Sequence, residues 1–185
     1  MSPPLPQPDL GRLTRNRYFC YSSTMRIIIF SDTHGNYARA VKAVNEAGPV
    51  DLVIHLGDEY EDGVLVGQFC QLPVLAVPGN CDTGCAEPRL RTATMAGKRI
   101  LITHGDSYGV KNGLHHLIKK SLSERADIVL FGHTHQSMVQ QTDGMLLVNP
   151  GTLQYRVATP SYAILDIAGG TASAAIIALD PDETA

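Results

Sequence analysis

Five short apolar runs in this chain each end in a glycine-flanked aspartate, asparagine or histidine, and few folds put such residues to use at once. Ile27–Phe30 leads into Ser31-Asp32-Thr33-His34-Gly35-Asn36, and Leu52–Leu56 into Gly57-Asp58. Val74–Pro78 is followed by Gly79-Asn80, Ile100–Thr103 by His104-Gly105-Asp106, and Ile128–Phe131 by Gly132-His133-Thr134-His135. The runs are β-branched and aromatic, as buried strands are. In an open α/β sheet the carboxyl edge of the strands is where ligands bind.

The rest of the chain supports that layout. Tyr37–Ala47 places Ala40, Val41, Val44 and Ala47 at helical spacing, with Gly48-Pro49 as its stop. A second helix is expected over Gly63–Gln71 and a third strand over Val74–Val77. Strand, helix, strand, helix, strand implies right-handed crossovers and parallel pairing. Beyond residue 90 the pattern changes. Arg91–Met95 and Arg99–Thr103 flank Ala96-Gly97-Lys98 as a hairpin, and a helix lies between Asn112 and Leu122. Further strands are expected at Ile128–Phe131, Ser137–Gln141, Met145–Val148, Tyr162–Ile167 and Ala172–Leu179. This describes one α/β domain over residues 25–185 with two mixed sheets.

Residues 1–24 read differently. Pro3, Pro4, Pro6 and Pro8 precede Arg12, Arg15 and Arg17, and the apolar stretch of a secretory signal is missing. The segment is expected to be a disordered extension. It is either a weak targeting peptide or the product of a start placed upstream of Met25, and the second reading is favoured.

Composition narrows the class of function. A net charge of -3 offers no general attraction to nucleic acid or an anionic membrane. No apolar run approaches the roughly 20 residues that cross a bilayer. Cys81 and Cys85 do not form a CxxC pair, and Cys20, Cys70, Cys81 and Cys85 are expected to be reduced thiols in the cytoplasm.

The donors at the strand ends are Asp32, His34, Asp58, Asn80, His104, His133 and His135. Nitrogen and oxygen donors in that number suit a pair of divalent ions, with one carboxylate shared. Asp-x-His and His-x-His steps put both side chains on one side of an extended strand or turn. A lone histidine near a strand is more often structural, and His55, His115 and His116 are read that way.

Taken in order, Asp32-Thr33-His34, Gly57-Asp58, Gly79-Asn80-Cys81-Asp82, Thr103-His104-Gly105 and Gly132-His133-Thr134-His135 resemble the signature of the calcineurin-like metallophosphoesterases. More narrowly the chain is similar to the small bacterial and archaeal phosphodiesterases of the YfcE-like group, which Asn149-Pro150-Gly151-Thr152 also matches. The resemblance runs from Met25 to about Leu179. It implies a four-layer α/β/β/α sandwich with metals at the sheet edge. One ion would take Asp32, His34, Asp58 and His135, and the other Asp58, Asn80, His104 and His133, with Asp58 as the bridge. It further implies hydrolysis of a small-molecule phosphodiester by a hydroxide bridging the two ions. Mn²⁺ is favoured by family likeness, and Ni²⁺, Fe²⁺ or Zn²⁺ also fits mixed nitrogen and oxygen ligation. Small relatives often form homo-oligomers, so self-association is an open expectation.

Three positions bear on substrate. Many superfamily members carry histidine after the metal-binding asparagine, where it can protonate the leaving group. Cys81 stands there, and a neutral thiol suits that task poorly. The position argues against the alternative of a phosphomonoesterase or protein phosphatase. A non-catalytic scaffold, like the retromer subunit of this fold, is the other alternative, although every donor is retained. Asp106 replaces a histidine often found after His-Gly and either touches substrate or caps a turn. Asn36 either donates to phosphate or braces its loop.

Overall fold

The computed structural model describes residues 24–180, so the reading of residues 1–23 lies outside the described residues. Strand β1 (Thr24–Phe30) runs at the middle of the first sheet, between β9 (Ser161–Ala168) and β2 (Leu52–His55). That sheet is completed by β3 (Val74–Ala76) at one edge and β10 (Thr171–Ala178) at the other. β1, β2 and β3 pair in parallel, whereas β9 is antiparallel to both β1 and β10. Helices α1 (Tyr37–Ala47) and α2 (Tyr60–Cys70) supply the two parallel crossovers.

The second sheet has the order β4-β5-β6-β8-β7. Its members are β4 (Leu90–Met95), β5 (Lys98–Thr103), β6 (Ile128–Leu130), β7 (Met138–Thr142) and β8 (Met145–Asn149). β5, β6 and β8 are parallel, and antiparallel strands close both edges. Helix α3 (His115–Ser123) connects β5 to β6.

Side-chain alternation sorts the layers. Ile27 and Ile29 face the space between the sheets with Ile54, Ile100, Ile102, Ile128, Leu130 and Leu165. Ile28 and Phe30 point the other way, against Ala40, Val44 and Val66 of α1 and α2. On the far side Leu101 and Val129 pack on Leu117 of α3. The result is the expected α/β/β/α sandwich. Strands buried on both faces need apolar residues at every position, which explains the unbroken runs that mark β1, β2 and β6.

Some boundaries differ from expectation for physical reasons. α2 begins at Tyr60 rather than Gly63, because its first turn carries Glu61 and Asp62, polar residues that the apolar pattern passes over. Acidic side chains suit that end of a helix dipole. α3 begins at His115 rather than Asn112, since residues 110–112 form a 3-10 turn that Gly113 closes at φ 126°. β1 already includes Thr24, which pairs with Ala168. No helix among the described residues is long and apolar enough to cross a membrane.

Candidate metal centre

The carboxyl ends of β1, β2, β3, β5 and β6 open onto one side of the sandwich, and their loops are tied to one another. Asp32 donates its N–H to the Gly57 carbonyl at 2.9 Å, and His34 donates to the Asp58 carbonyl at 3.1 Å. Gly132 donates to the His104 carbonyl at 2.9 Å, linking the loops of the second sheet. Two glycines let the loops close up. A Cβ on Gly79 would collide with the Asp58 carboxylate, and one on Gly132 with the Ser31 hydroxyl and the Asp32 carboxylate.

This packing draws the candidate donors into two groups. Asp32, His34 and His135 form one, and Asp58, His104 and His133 the other, with the donor atoms of each within 4.8 Å of one another. His104 Nε2 lies 3.2 Å from Asn80 Oδ1, 3.1 Å from His133 Nδ1 and 3.5 Å from Asp58 Oδ2. Asp58 Oδ2 also lies 3.9 Å from His34 Nε2, so the carboxylate stands between the groups. All seven donors anticipated from the sequence therefore share one site.

The spacing fits cations. Atoms bound about 2.1 Å from one ion at angles near 90–109° sit roughly 3.0–3.4 Å apart. Asp32 Oδ1 is buried 3.0 Å from His135 Nε2 yet accepts no aligned hydrogen bond, an arrangement that a shared ion would resolve. Its other oxygen is occupied by the Ser31 hydroxyl and by the His133 N–H at 3.0 Å. His104 donates from Nδ1 to the Leu56 carbonyl at 2.8 Å, which leaves the Nε2 lone pair facing the site. Five of the seven donor residues, Asp32, His34, Asp58, His133 and His135, have φ between 46° and 68°. Such left-handed backbone costs energy for residues with a Cβ and gathers at functional sites.

Protonation follows the crowding of charge. Burial alone would raise the Asp58 carboxyl, but His104 and the Cys81 amide hold it far below the usual carboxylate range. Burial works against a charged His104, and Asp58 and Asp32 outweigh it and lift its pKa. For Asp32 too burial acts upward, while His135, His104 and Ser31 bring the net shift down. His133 is lowered by burial and by the charges of His104 and Lys111.

The three substrate-adjacent candidates separate. Cys81 joins the site, its thiol grouped with His34 and Asp58, and its N–H donates to Asp58 Oδ1 at 2.9 Å. Burial and the Asp58 charge push that thiol up, so it is neutral. Asp106 pairs with Arg89 at 3.1 Å and caps no helix, while its charge is felt at His133. Asn36 is committed to structure. Its Oδ1 accepts the Arg39 N–H at the start of α1, and its Nδ2 donates to the Leu153 carbonyl at 3.0 Å.

Several supporting residues escape a reading of the sequence. Asp82 accepts the N–H groups of Asp58 at 3.0 Å, Gly79 at 2.7 Å and Tyr60 at 2.7 Å, and so binds the β2 and β3 loops together. Its place in the Gly79–Asp82 motif was the available signal. Asp82→Ala is expected to cost about 2 kcal/mol in the metal-free protein, since bonds to a charged acceptor are worth about 1.5–3 kcal/mol. Urea unfolding measures this, and an unchanged midpoint would refute the brace. Asn149 donates to the Gly132 carbonyl at 3.1 Å and the Thr134 hydroxyl at 3.0 Å. Thr152 donates to the Asp32 carbonyl at 2.7 Å.

His55 is structural, as expected, and more constrained than its position suggested. Its Nδ1 accepts the Gly57 N–H at 3.2 Å, so Nε2 carries the proton and donates to the Thr33 hydroxyl at 3.0 Å. Full burial drives its pKa down to about 4. The unfolded chain takes up this proton near pH 6.5 and the folded protein only near 4, so stability is complete above 6.5 and falls through that window. At pH 5 the metal-free protein should have lost about 2 kcal/mol through this group. His55→Asn should flatten that part of the pH–stability curve, and parallel curves for the two proteins would contradict the assignment.

Comparison with known proteins gives a consistent picture. A family model described as the calcineurin-like phosphoesterase superfamily domain matches residues 25–170. The chain is 33% identical over 153 residues to the probable metallophosphoesterase YsnB of Bacillus subtilis, covering 80% of this chain and 88% of that one. It is 30% identical over 162 residues to the phosphodiesterase MJ0936 of Methanocaldococcus jannaschii, covering 77% and 93%. Among solved structures, a conserved Streptococcus pneumoniae protein described as a predicted phosphoesterase superposes with TM-score 0.72 at 24% identity, covering 84% and 90%. Vps29 of Entamoeba histolytica complexed with Zn²⁺ shares the fold, with TM-score 0.64 at 16% identity over 83% of this chain and 99% of that one.

Proposed function

Because the chain belongs to the calcineurin-like phosphoesterase superfamily, we propose that it is a phosphodiesterase that works with two divalent cations on a small-molecule diester. The reading rests above all on one observation, the position of the Asp58 carboxylate between two clusters of donors. One cation would be held by Asp32, His34, Asp58 and His135, and the other by Asp58, Asn80, His104 and His133. Bound there, divalent ions would supply Lewis acidity toward the phosphoryl oxygens and lower the pKa of water between them. Mn²⁺ is proposed by family likeness.

The chain's own residues do the rest. The buried Leu56 carbonyl fixes the tautomer of His104, and the Ser31 hydroxyl and His133 amide fix the Asp32 carboxylate. Ligands held in this way need no reorganisation during reaction, the condition under which electrostatic stabilisation is most effective. Cys81 lies at the exposed mouth beside His34 and Asp58, where a leaving group would depart. Its raised thiol pKa makes it a weak proton donor, which supports diesters with good leaving groups as substrates.

The test uses metal-stripped protein, with Mn²⁺, Ni²⁺, Fe²⁺ and Zn²⁺ restored singly, against aryl diesters and monoesters. Activity should be absent without metal, return with about two equivalents of ion, and favour diesters. Full turnover in the stripped protein, or a preference for monoesters, would reject the proposal. Binding of ions with no turnover on any ester would identify a scaffold instead.

A further inference from the structure

We propose that Asp62 is the positioning residue for His34 and thereby sets the affinity of one of the two ions, an inference that rests on the metal-centre reading above. Asp62 lies in the first turn of α2 and is 3% exposed. Among the described residues no lysine, arginine or histidine forms an ion pair with it. A buried carboxylate without a cationic partner is costly unless it is well hydrogen-bonded. Asp62 Oδ2 accepts the N–H of Gly35 at 2.9 Å; burial pushes the carboxyl up, and the Thr33 hydroxyl and this amide work against that shift.

The amide it accepts belongs to the peptide joining His34 to Gly35. Both residues are left-handed, at φ 46° and 86°. On the other side, the His34 N–H donates to the Asp58 carbonyl at 3.1 Å. His34 is thus clamped before and behind, by Asp58 and by Asp62. A histidine at positive φ carries backbone strain. Rotation about the His34 N–Cα bond toward negative φ would relieve that strain, carry the Gly35 amide away and swing the imidazole from Asp32 and His135. The charge-assisted bond to Asp62 opposes the rotation.

The remaining donors do not depend on this bond. Asp58 and the Asn80 loop are braced by Asp82, His104 by the Leu56 carbonyl, and the His133–His135 loop by Asn149. Loss of Asp62 should therefore weaken only the ion that His34 contacts.

Calorimetric titration of the metal-free full chain with Mn²⁺ provides the test. The unaltered protein should take up two ions. Asp62→Ala should weaken one step by about 10–100-fold, as loss of an outer-shell partner typically does, and leave the other within about twofold. Asp62→Asn keeps an acceptor for Gly35 without the charge and should lose about threefold at that same step. It carries the test if the alanine variant does not fold. In an Asn80→Ala background the single tight step that remains should still respond to Asp62→Ala. Failure of the unaltered protein to bind two ions would overturn the metal-centre reading. Two ions bound with both steps, or neither, altered by the Asp62 substitutions would overturn only the role of Asp62.

Discussion

Asp58→Ala is expected to lower kcat/KM on a diester by at least about 10³-fold, or about 4 kcal/mol of transition-state stabilisation. The carboxylate Oδ2 lies 3.5 Å from His104 and 3.9 Å from His34, one residue from each donor cluster. Removing it takes a negative ligand from both proposed ions together, and no other described carboxylate joins the second group. The same substitution frees the Cys81 amide from its acceptor, so the mouth of the site should loosen as well. Metal content should fall with activity. The metal-free fold should lose some stability as well, because His104 and the Cys81 amide lose a charged partner while the left-handed backbone at residue 58 remains. Kinetics beside metal analysis decide the matter: a variant that keeps a tenth of the activity would mean the shared carboxylate is not at the centre of the chemistry.

Cys81→His is expected to raise the rate on diesters with poor leaving groups by on the order of 10²–10³-fold, within the range general acid catalysis supplies. The thiol lies with His34 and Asp58 at the open side of the site, and burial together with the Asp58 charge keeps it protonated. An imidazole there would titrate nearer neutrality and could pass a proton to a departing alkoxide. Aryl diesters, whose leaving groups need no proton, should change little. The comparison is a plot of rate against leaving-group pKa for both proteins. Equal slopes would show that residue 81 does not serve proton transfer.

How much of this was legible beforehand depends on the range of the interaction. Strands such as Ile27–Phe30 and Ile128–Leu130 announce themselves because burial on both faces demands an unbroken apolar run, and their ends stand out as glycine beside a polar residue. The seven candidate donors are read from that punctuation, and the fold gathers them. For Asn36 the sequence leaves phosphate binding and bracing open, and its contacts with the Arg39 N–H and the Leu153 carbonyl favour bracing. The partners of Asp62, Asp82, Asn149 and Thr152 are mostly backbone groups, and most lie across loops far apart in the chain. No local pattern encodes such contacts. The early start of α2 was hidden for a related reason, since its first turn serves the site and carries polar residues where the apolar rhythm would begin.

The left-handed basin that holds Asp32, His34, Asp58, His133 and His135 is small, so each Cα–Cβ bond has little freedom of direction. A site whose Cα–Cβ directions are so fixed would select its guest by radius. Calcium prefers oxygen contacts of about 2.3–2.6 Å and a flexible shell of six to eight of them. A pocket of short, fixed, histidine-rich reach would leave that ion under-coordinated, and surroundings rich in calcium would not silence the protein.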